Sequence, residues 1–521
     1  MARRFRYARY ALCCVVLLGC KVGPDYERPP VVTPTSWRGA QVSAEAQESI
    51  ANVPWWEMFK DEQLKQLIKV ALAENRDLKI AVERIEEARA NFGISKADLY
   101  PHLGARAFTG ALNPSDGSLT HTPDEGGGSS ATGLTDISLA FSWELDFFGR
   151  IRRGSEAAQA TMLATEEARR AVAVALVSDV AIAYIDLRGL DRRLQITQNT
   201  LKSRLEHVEY ARVRFEGQVT HEVDLRQSEA EAHRVQAQLY NLEKLITRKE
   251  NEISFLVGRP PGEILRNRSA DEQPVPPEVP AGLPASLLES RPDVRKAEME
   301  LMSATARIGE AKAALYPSIK LTGSYGLAST DLSELINPAS QSWNIFASLL
   351  QPIFQGGALR GKVEVRESQQ RQAVYAYEKT LLQALREVED ALVGLRKLGQ
   401  ERQEQRLRAT AETQVVELAE LRYRGGVSNY LEVLDAQRSL FNAEIDDATI
   451  ASEHARSLVQ LYKALGAGWP VPKPKNASGS AAAPSAAPAP SSAPPASAPA
   501  SAPAAAPAGT PAADGTKPPP G

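Results

Sequence analysis

The sequence predicts a mixed protein of very long α-helices and short membrane-type β-strands, built as two tandem repeats. Three observations carry this fold class. The chain matches itself at a shift slightly above 200 residues, two stretches of roughly 65 residues contain no proline, and the segments before them alternate apolar and polar residues. Period-two alternation gives a strand one apolar and one polar face, whereas a proline-free stretch of that length at about 1.5 Å per residue makes a helix near 100 Å.

The duplication is collinear. Asn75-Arg76-Asp77-Leu78 aligns with Arg291-Pro292-Asp293-Val294, and Ala97-Asp98-Leu99-Tyr100-Pro101 with Ala313-Ala314-Leu315-Tyr316-Pro317, both at a shift of 216. Arg214-Phe215-Glu216-Gly217-Gln218-Val219-Thr220 aligns with Arg422-Tyr423-Arg424-Gly425-Gly426-Val427-Ser428, and Phe255-Leu256-Val257-Gly258 with Lys463-Ala464-Leu465-Gly466, both at 208. This replaces the three domains that 521 residues suggest by length alone.

Each repeat reads as short helix, two strands, long helix, short helix. Leu64, Leu67, Ile68, Ala71 and Leu72 open a helix over about 62–98, which Pro101 ends. Ile137, Leu139, Phe141, Trp143 and Leu145 alternate with polar neighbours, as do Ile319, Leu321, Tyr325 and Leu327; Trp343, Ile345, Ala347 and Leu349 continue the pattern, blurred by Phe346 and Leu350, and Leu103 to Leu112 is the weakest strand. Long helices follow over about 150–215 and 359–424, then a short one over about 222–257. Stacked end to end, two short helices match one long one. The expected boundaries are 62–260 for the first repeat (hairpin about 101–147), 261–286 for a linker and 287–470 for the second repeat (hairpin about 317–354).

The ends are different. Arg3, Arg4, Arg6 and Arg9 precede the short apolar stretch Ala11 to Gly19, which is signal-peptide anatomy. Leu17-Leu18-Gly19-Cys20 resembles a bacterial lipobox, which implies cleavage after residue 19 and acylation of Cys20; segment 20–61 is then an anchor and extended stretch. Residues 471–521 are Pro/Ala/Ser low complexity and read as a disordered tail. The precursor charge of −3 becomes −7 once four arginines leave with residues 1–19, and the tail's three lysines and Asp514 put the body near −9. Such a body does not suit nucleic acid. All three cysteines fall within the first twenty residues, so the remainder holds no disulfide, thiolate metal site or cysteine nucleophile.

Four strands cannot stand alone in a bilayer, because open edges leave backbone groups unsatisfied and closed membrane barrels need about eight strands or more. Association is required, and three copies supply twelve strands. The competing arrangement is a soluble sandwich half-covered by helices, but little else in the sequence could bury the apolar faces.

The sequence resembles the TolC-like outer-membrane efflux proteins, in the lipoprotein (NodT-type) subfamily. The resemblance rests on Cys20-Lys21-Val22-Gly23-Pro24-Asp25-Tyr26, Trp55-Trp56 with Phe59 and Asp61, Asp98-Leu99-Tyr100-Pro101, and Trp143-Glu144-Leu145-Asp146 with Phe148-Gly149-Arg150. Gln351-Pro352-Ile353-Phe354 and Leu434-Asp435-Ala436-Gln437-Arg438 complete it, and it spans about residues 20–470. It implies a homotrimer with a twelve-stranded outer-membrane β-barrel continuous with an α-helical periplasmic barrel. That duct would carry drugs or small solutes from an inner-membrane RND-type pump and a periplasmic membrane-fusion adaptor, with no cofactor. It implies a periplasmic gate at Asp435, Glu432, Leu431 and Tyr423, and adaptor contact at the helix-turn tips Gly217, Val219, Thr220, Gly425, Gly426, Val427 and Ser428. A protein-export duct and a lipid-anchored coiled-coil scaffold without channel activity are the alternatives.

Other readings compete at single residues. Asn429 to Glu432 is spaced like a capping box, and Tyr423 could pack its turn as Phe215 is expected to. Gly356-Gly357-Ala358-Leu359-Arg360-Gly361-Lys362 resembles the start of a phosphate loop, but Val363 stands where a hydroxyl is required, so it reads as a structural break equivalent to Phe148-Gly149-Arg150. The six histidines have no metal-ligand spacing, and His207, His221 and His233 read as solvated helix positions. No catalytic constellation is present, so the expected activity is not enzymatic.

Overall fold

Two 67-residue helices run through the protein: α3, Arg150–Glu216, and α6, Ala358–Arg424. The computed structural model describes residues 21–30, 59, 61–112, 132–266 and 291–466. All lie in one unit, Met1–Val471; Pro472–Gly521 is separate. Cys20, the signal segment, Trp55-Trp56, most of the linker and the tail lie outside the described residues.

The remaining elements are helices α1 (Glu62–Glu74), α2 (Arg76–Ala97), α4 (Glu222–Leu256), α5 (Pro292–Ala313) and α7 (Tyr430–Ala464). The strands are β1 (His102–Leu112), β2 (Thr132–Leu145), β3 (Ser318–Ser329) and β4 (Gln341–Leu350). The single helix expected over 62–98 is two. Asn75 is extended at ψ 133°, and its side chain accepts a hydrogen bond from Leu78 N, so it ends one helix and caps the next. Asp61 caps α1 by accepting from Gln63 N and Leu64 N.

End-to-end stacking of short helices has a specific fastening, repeated in both halves. Asn75 Nδ2 donates to Leu256 O at 2.8 Å, tying the start of α2 to the end of α4. At the equivalent positions Arg291 Nη1 donates to Ala464 O at 2.5 Å, tying α5 to α7. Gly258 and Gly466 then turn the chain at positive φ beside these joints. A Cβ at Gly258 would lie 2.6 Å from Glu74 O, so that position admits only glycine without backbone movement.

The strands form one antiparallel sheet in the order β1-β2-β3-β4. Its register carries the alternation across all four strands: Ala105 pairs with Leu139, Leu139 with Tyr325, and Tyr325 with Trp343. Odd residues therefore make one continuous apolar face. Even residues such as Ser138, Gly326 and Ser342 make the other. Phe108, Phe346 and Leu350 depart from the pattern by falling on the polar face, and β1, the faintest strand in the sequence, pairs with β2 along its full length.

Near the barrel end, helices pack in the order α2, α3, α5, α6; towards the far end the order is α4, α3, α7, α6. The main core sits where the short helices meet, around Leu64, Ile68, Val177, Tyr184, Ile253, Val294, Tyr377 and Tyr462. Within it the buried Tyr184 hydroxyl donates to Asp61 at 3.1 Å. No described helix is long and apolar enough to cross a membrane.

Candidate functional site: the helix-turn tip

The two helix-to-helix turns, α3 to α4 and α6 to α7, are built alike. Val219 N donates to Arg214 O and Val427 N to Arg422 O, both at 2.9 Å, closing each long helix with the same six-residue ring. Gly217 and Gly425, expected to make the turns, are close to right-handed helical. The left-handed position is the next one: Gly426 at φ +70° in the second repeat and Gln218 at φ +56° in the first. Gln218 thus holds a conformation that favours glycine. The Thr220 and Ser428 hydroxyls, at equivalent turn positions, have no hydrogen-bond partner among the described residues.

Tyr423 does not pack its turn alone. Its ring lies edge-on to Tyr210 at 6.5 Å and tilted to Tyr430 at 5.7 Å. The Arg214 guanidinium, 5.2 Å from the Tyr423 centroid and 5.5 Å from that of Tyr210, clasps the two. Such cation–π contacts contribute about 0.5–1 kcal/mol each at exposed sites. The clasp joins one repeat's tip to the other's. Phe215, expected to pack the first turn, is exposed instead, because the α3 face that meets α7 is set by Tyr210 and Arg214.

Leu431 and Asp435 are exposed and one turn apart at the start of α7, while Val433 and Leu434 between them are buried. The Asp435 side chain is 67% exposed and 3.9 Å from Arg438. Glu432 pairs with Arg422 at 2.9 Å. Asn429 caps α7 by accepting from Glu432 N at 3.2 Å, so the capping geometry is present and the Glu432 carboxylate is used elsewhere.

A second layer lies one to two turns deeper. His207 is not a solvated position: its side chain is 18% exposed. Its Nε2 is 2.9 Å from Gln437 Nε2 and 3.8 Å from Glu420 Oε1, and its ring faces Tyr430. Buried Arg204 hydrogen-bonds Gln437 from the other side. Desolvation by burial lowers the imidazole pKa, outweighing Glu420. Nearby, Glu231 is bonded by Arg234 and Arg438. Burial opposes its ionisation, but those guanidiniums prevail and hold its pKa at about 2. His221 and His233 are exposed as expected.

Sequence reasoning missed Arg204, His207, Tyr210, Arg214, Glu231 and Glu420. Their partners lie about 200 residues away on the other repeat, and no local spacing signals that. Among the described residues no three His, Cys, Asp or Glu side chains gather to hold a metal.

The sequence profile of the outer membrane efflux protein family matches residues 67–259 and 283–467, one segment for each repeat. The solvent efflux pump outer membrane protein SrpC of Pseudomonas putida is 37% identical over 464 residues, covering 88% of this chain and 97% of that protein. The cation efflux system protein CusC of Escherichia coli is 34% identical over 466 residues, covering 87% and 97%. Among solved structures, the open state of the MtrE outer membrane channel of Neisseria gonorrhoeae superposes with a TM-score of 0.76 at 31% identity, covering 86% of this chain and 98% of that one. The chain belongs to the outer membrane efflux protein family.

Proposed function

We propose that three copies of this chain close into the outer-membrane exit duct of a tripartite efflux pump. The duct passively conducts small solutes handed over by a periplasmic adaptor and an inner-membrane pump. The observation that carries this reading is a pair of complementary open edges. One edge consists of β1, α2 and α4, the other of β4 and α6. Exposed large apolar residues gather along both: Leu103, Ile80 and Tyr240 on the first, Ile345, Leu382 and Leu418 on the second. A heterologous interface of this kind either closes into a ring or runs on as a filament. Closure at three joins β4 to β1 of the next copy, completes twelve strands and satisfies every edge.

In that ring the odd-residue face meets lipid and the even-residue face lines the lumen. Cys20 carries the lipid anchor. Lys21 beside it packs against Gly149, and Val22 N donates to Phe148 O at 3.3 Å, so the anchor enters where β2 becomes α3. The turn residues Gly217, Val219, Thr220, Gly425, Gly426, Val427 and Ser428 meet the adaptor, and the unpartnered hydroxyls of Thr220 and Ser428 are open to its backbone. Asp435, Glu432 and Leu431 form the gate, which the Tyr423 clasp holds shut. Threefold repetition turns each carboxylate into a ring that favours cations.

Detergent-solubilised protein is expected to run as a trimer and to conduct in planar bilayers, with larger conductance in Asp435→Ala. A stable monomer without conductance overturns the reading.

A further inference from the structure

We infer that the duct carries a cationic collar on its inner wall, just below the barrel, built from Arg307, Lys362 and Arg366 of each copy, and that it selects for anionic solutes. The inference rests on the trimeric duct proposed above. In one copy these side chains, with Arg150 and Glu310, line a groove of about 620 Å³ where α3, α5 and α6 leave the sheet.

Three contacts put the groove on the lumen side. First, Arg150 donates to Glu144 at 2.8 Å, and Glu144 is an even residue of β2, opposite Lys320 on the polar face of the sheet. Second, segment 22–28, which leads from the anchor, lies on the other side of α5: Gly23 rests on Gly309, and Arg28 pairs with Glu298 at 2.8 Å. Residues 298 and 309 share one helix face by the 3.6-residue period, and 307, 310 and 314 share the opposite one. Third, on α6 the ion pair of Glu367 with Lys312 lies on that outer side at 2.9 Å, whereas Ala358, Lys362 and Val365 turn towards the groove.

The charges there are uncompensated. Arg307 and Lys362 make no ion pair among the described residues, and Arg366 hydrogen-bonds only the neutral Gln369, at 2.8 Å. Glu310 is the one carboxylate lining the groove. Guanidinium and ammonium groups spaced around a low-dielectric wall attract carboxylate, sulfonate and phosphate groups and raise their local concentration. The collar is thus opposite in sign to the carboxylates at the tip. A solute meets an acidic entrance and a basic exit.

The test is the reversal potential of single channels in planar bilayers under a tenfold KCl gradient. Arg307→Gln/Lys362→Gln/Arg366→Gln is expected to lower the chloride-to-potassium permeability ratio by at least about twofold. Lys312→Gln, on the outer face of the same helix, is expected to leave it unchanged. Should the triple variant fail to assemble, Lys362→Gln alone is expected to shift the ratio in the same direction by less. An unchanged ratio in conducting trimers, or an equal shift from Lys312→Gln, overturns the collar and leaves the duct standing. Wild-type protein that does not conduct overturns the duct itself.

Discussion

The long helices α3 and α6 have the same length and the same place in their repeats, yet α3 buries twenty-five residues in one copy and α6 only five. The contrast holds at equivalent positions. Val174 on α3 is 5% exposed, and its counterpart Leu382 on α6, at the 208 shift, is 62% exposed. Duplication gave both helices an apolar stripe, but α3 is flanked by α2, α4, α5 and α7 of its own chain, while α6 has α5 and α7 on one side and an open edge on the other. The difference teaches that the second repeat is finished only by another copy's first repeat.

Paired substitutions break that comparison most sharply. Val174→Asp buries an unpaired charge in the middle of the helical layer and is expected to cost about 4 kcal/mol or more, abolishing folded protein by circular dichroism. Leu382→Asp, its counterpart, is expected to leave protomer helicity unchanged and to abolish the trimer in size-exclusion chromatography. Equal loss of helicity in both variants would put α6 inside the protomer core.

A smaller effect comes from His207, whose counterpart on α6 is the exposed Val415. Burial lowers the folded-state pKa of His207, so the unfolded chain binds the proton more readily. Its contribution is therefore fully present above about pH 6.5 and is lost as pH falls through the depressed folded value. Glu420, 3.8 Å away, offsets part of the loss, whereas Arg204 and Arg424 add to it. Amide exchange at the α6–α7 turn is expected to speed up between pH 7 and pH 5, and His207→Gln to flatten that dependence.

The tip turns differ least. Gln218→Gly is expected to stabilise the first turn by about 1 kcal/mol by removing left-handed strain, and Gly426→Ala to destabilise the second by a similar amount. Denaturant midpoints check both. If Gln218→Gly is destabilising instead, the glutamine side chain itself stabilises the turn.

Much of the fold was legible because its signals are local. Odd-residue apolar alternation identified the strands, and the absence of proline identified the long helices. The phosphate-loop-like run at Gly356-Gly357 is the expected structural break: Gly357 and Gly149 are both left-handed, 208 residues apart, where a strand hands over to a long helix. The break at Asn75 was not legible, because the helical period of its neighbours continues through it and the cause is a hydrogen bond to Leu256, 181 residues on. The tip was half legible. Spacing drew attention to Tyr423, Glu432 and Asp435, but the partners of Tyr423, and the burial of His207, come from packing one repeat against the other.

The sequence by itself determined two repeats, their element order and one apolar face per strand, since each follows from periodicity within a few residues. Only the tertiary structure decided which long helix is core and which is edge, that Arg214 and Tyr423 clasp the repeats together, and that Arg307, Lys362 and Arg366 share a wall. Identical stripes acquire different roles from what packs beside them, and neighbours some 200 residues away leave no mark on local pattern.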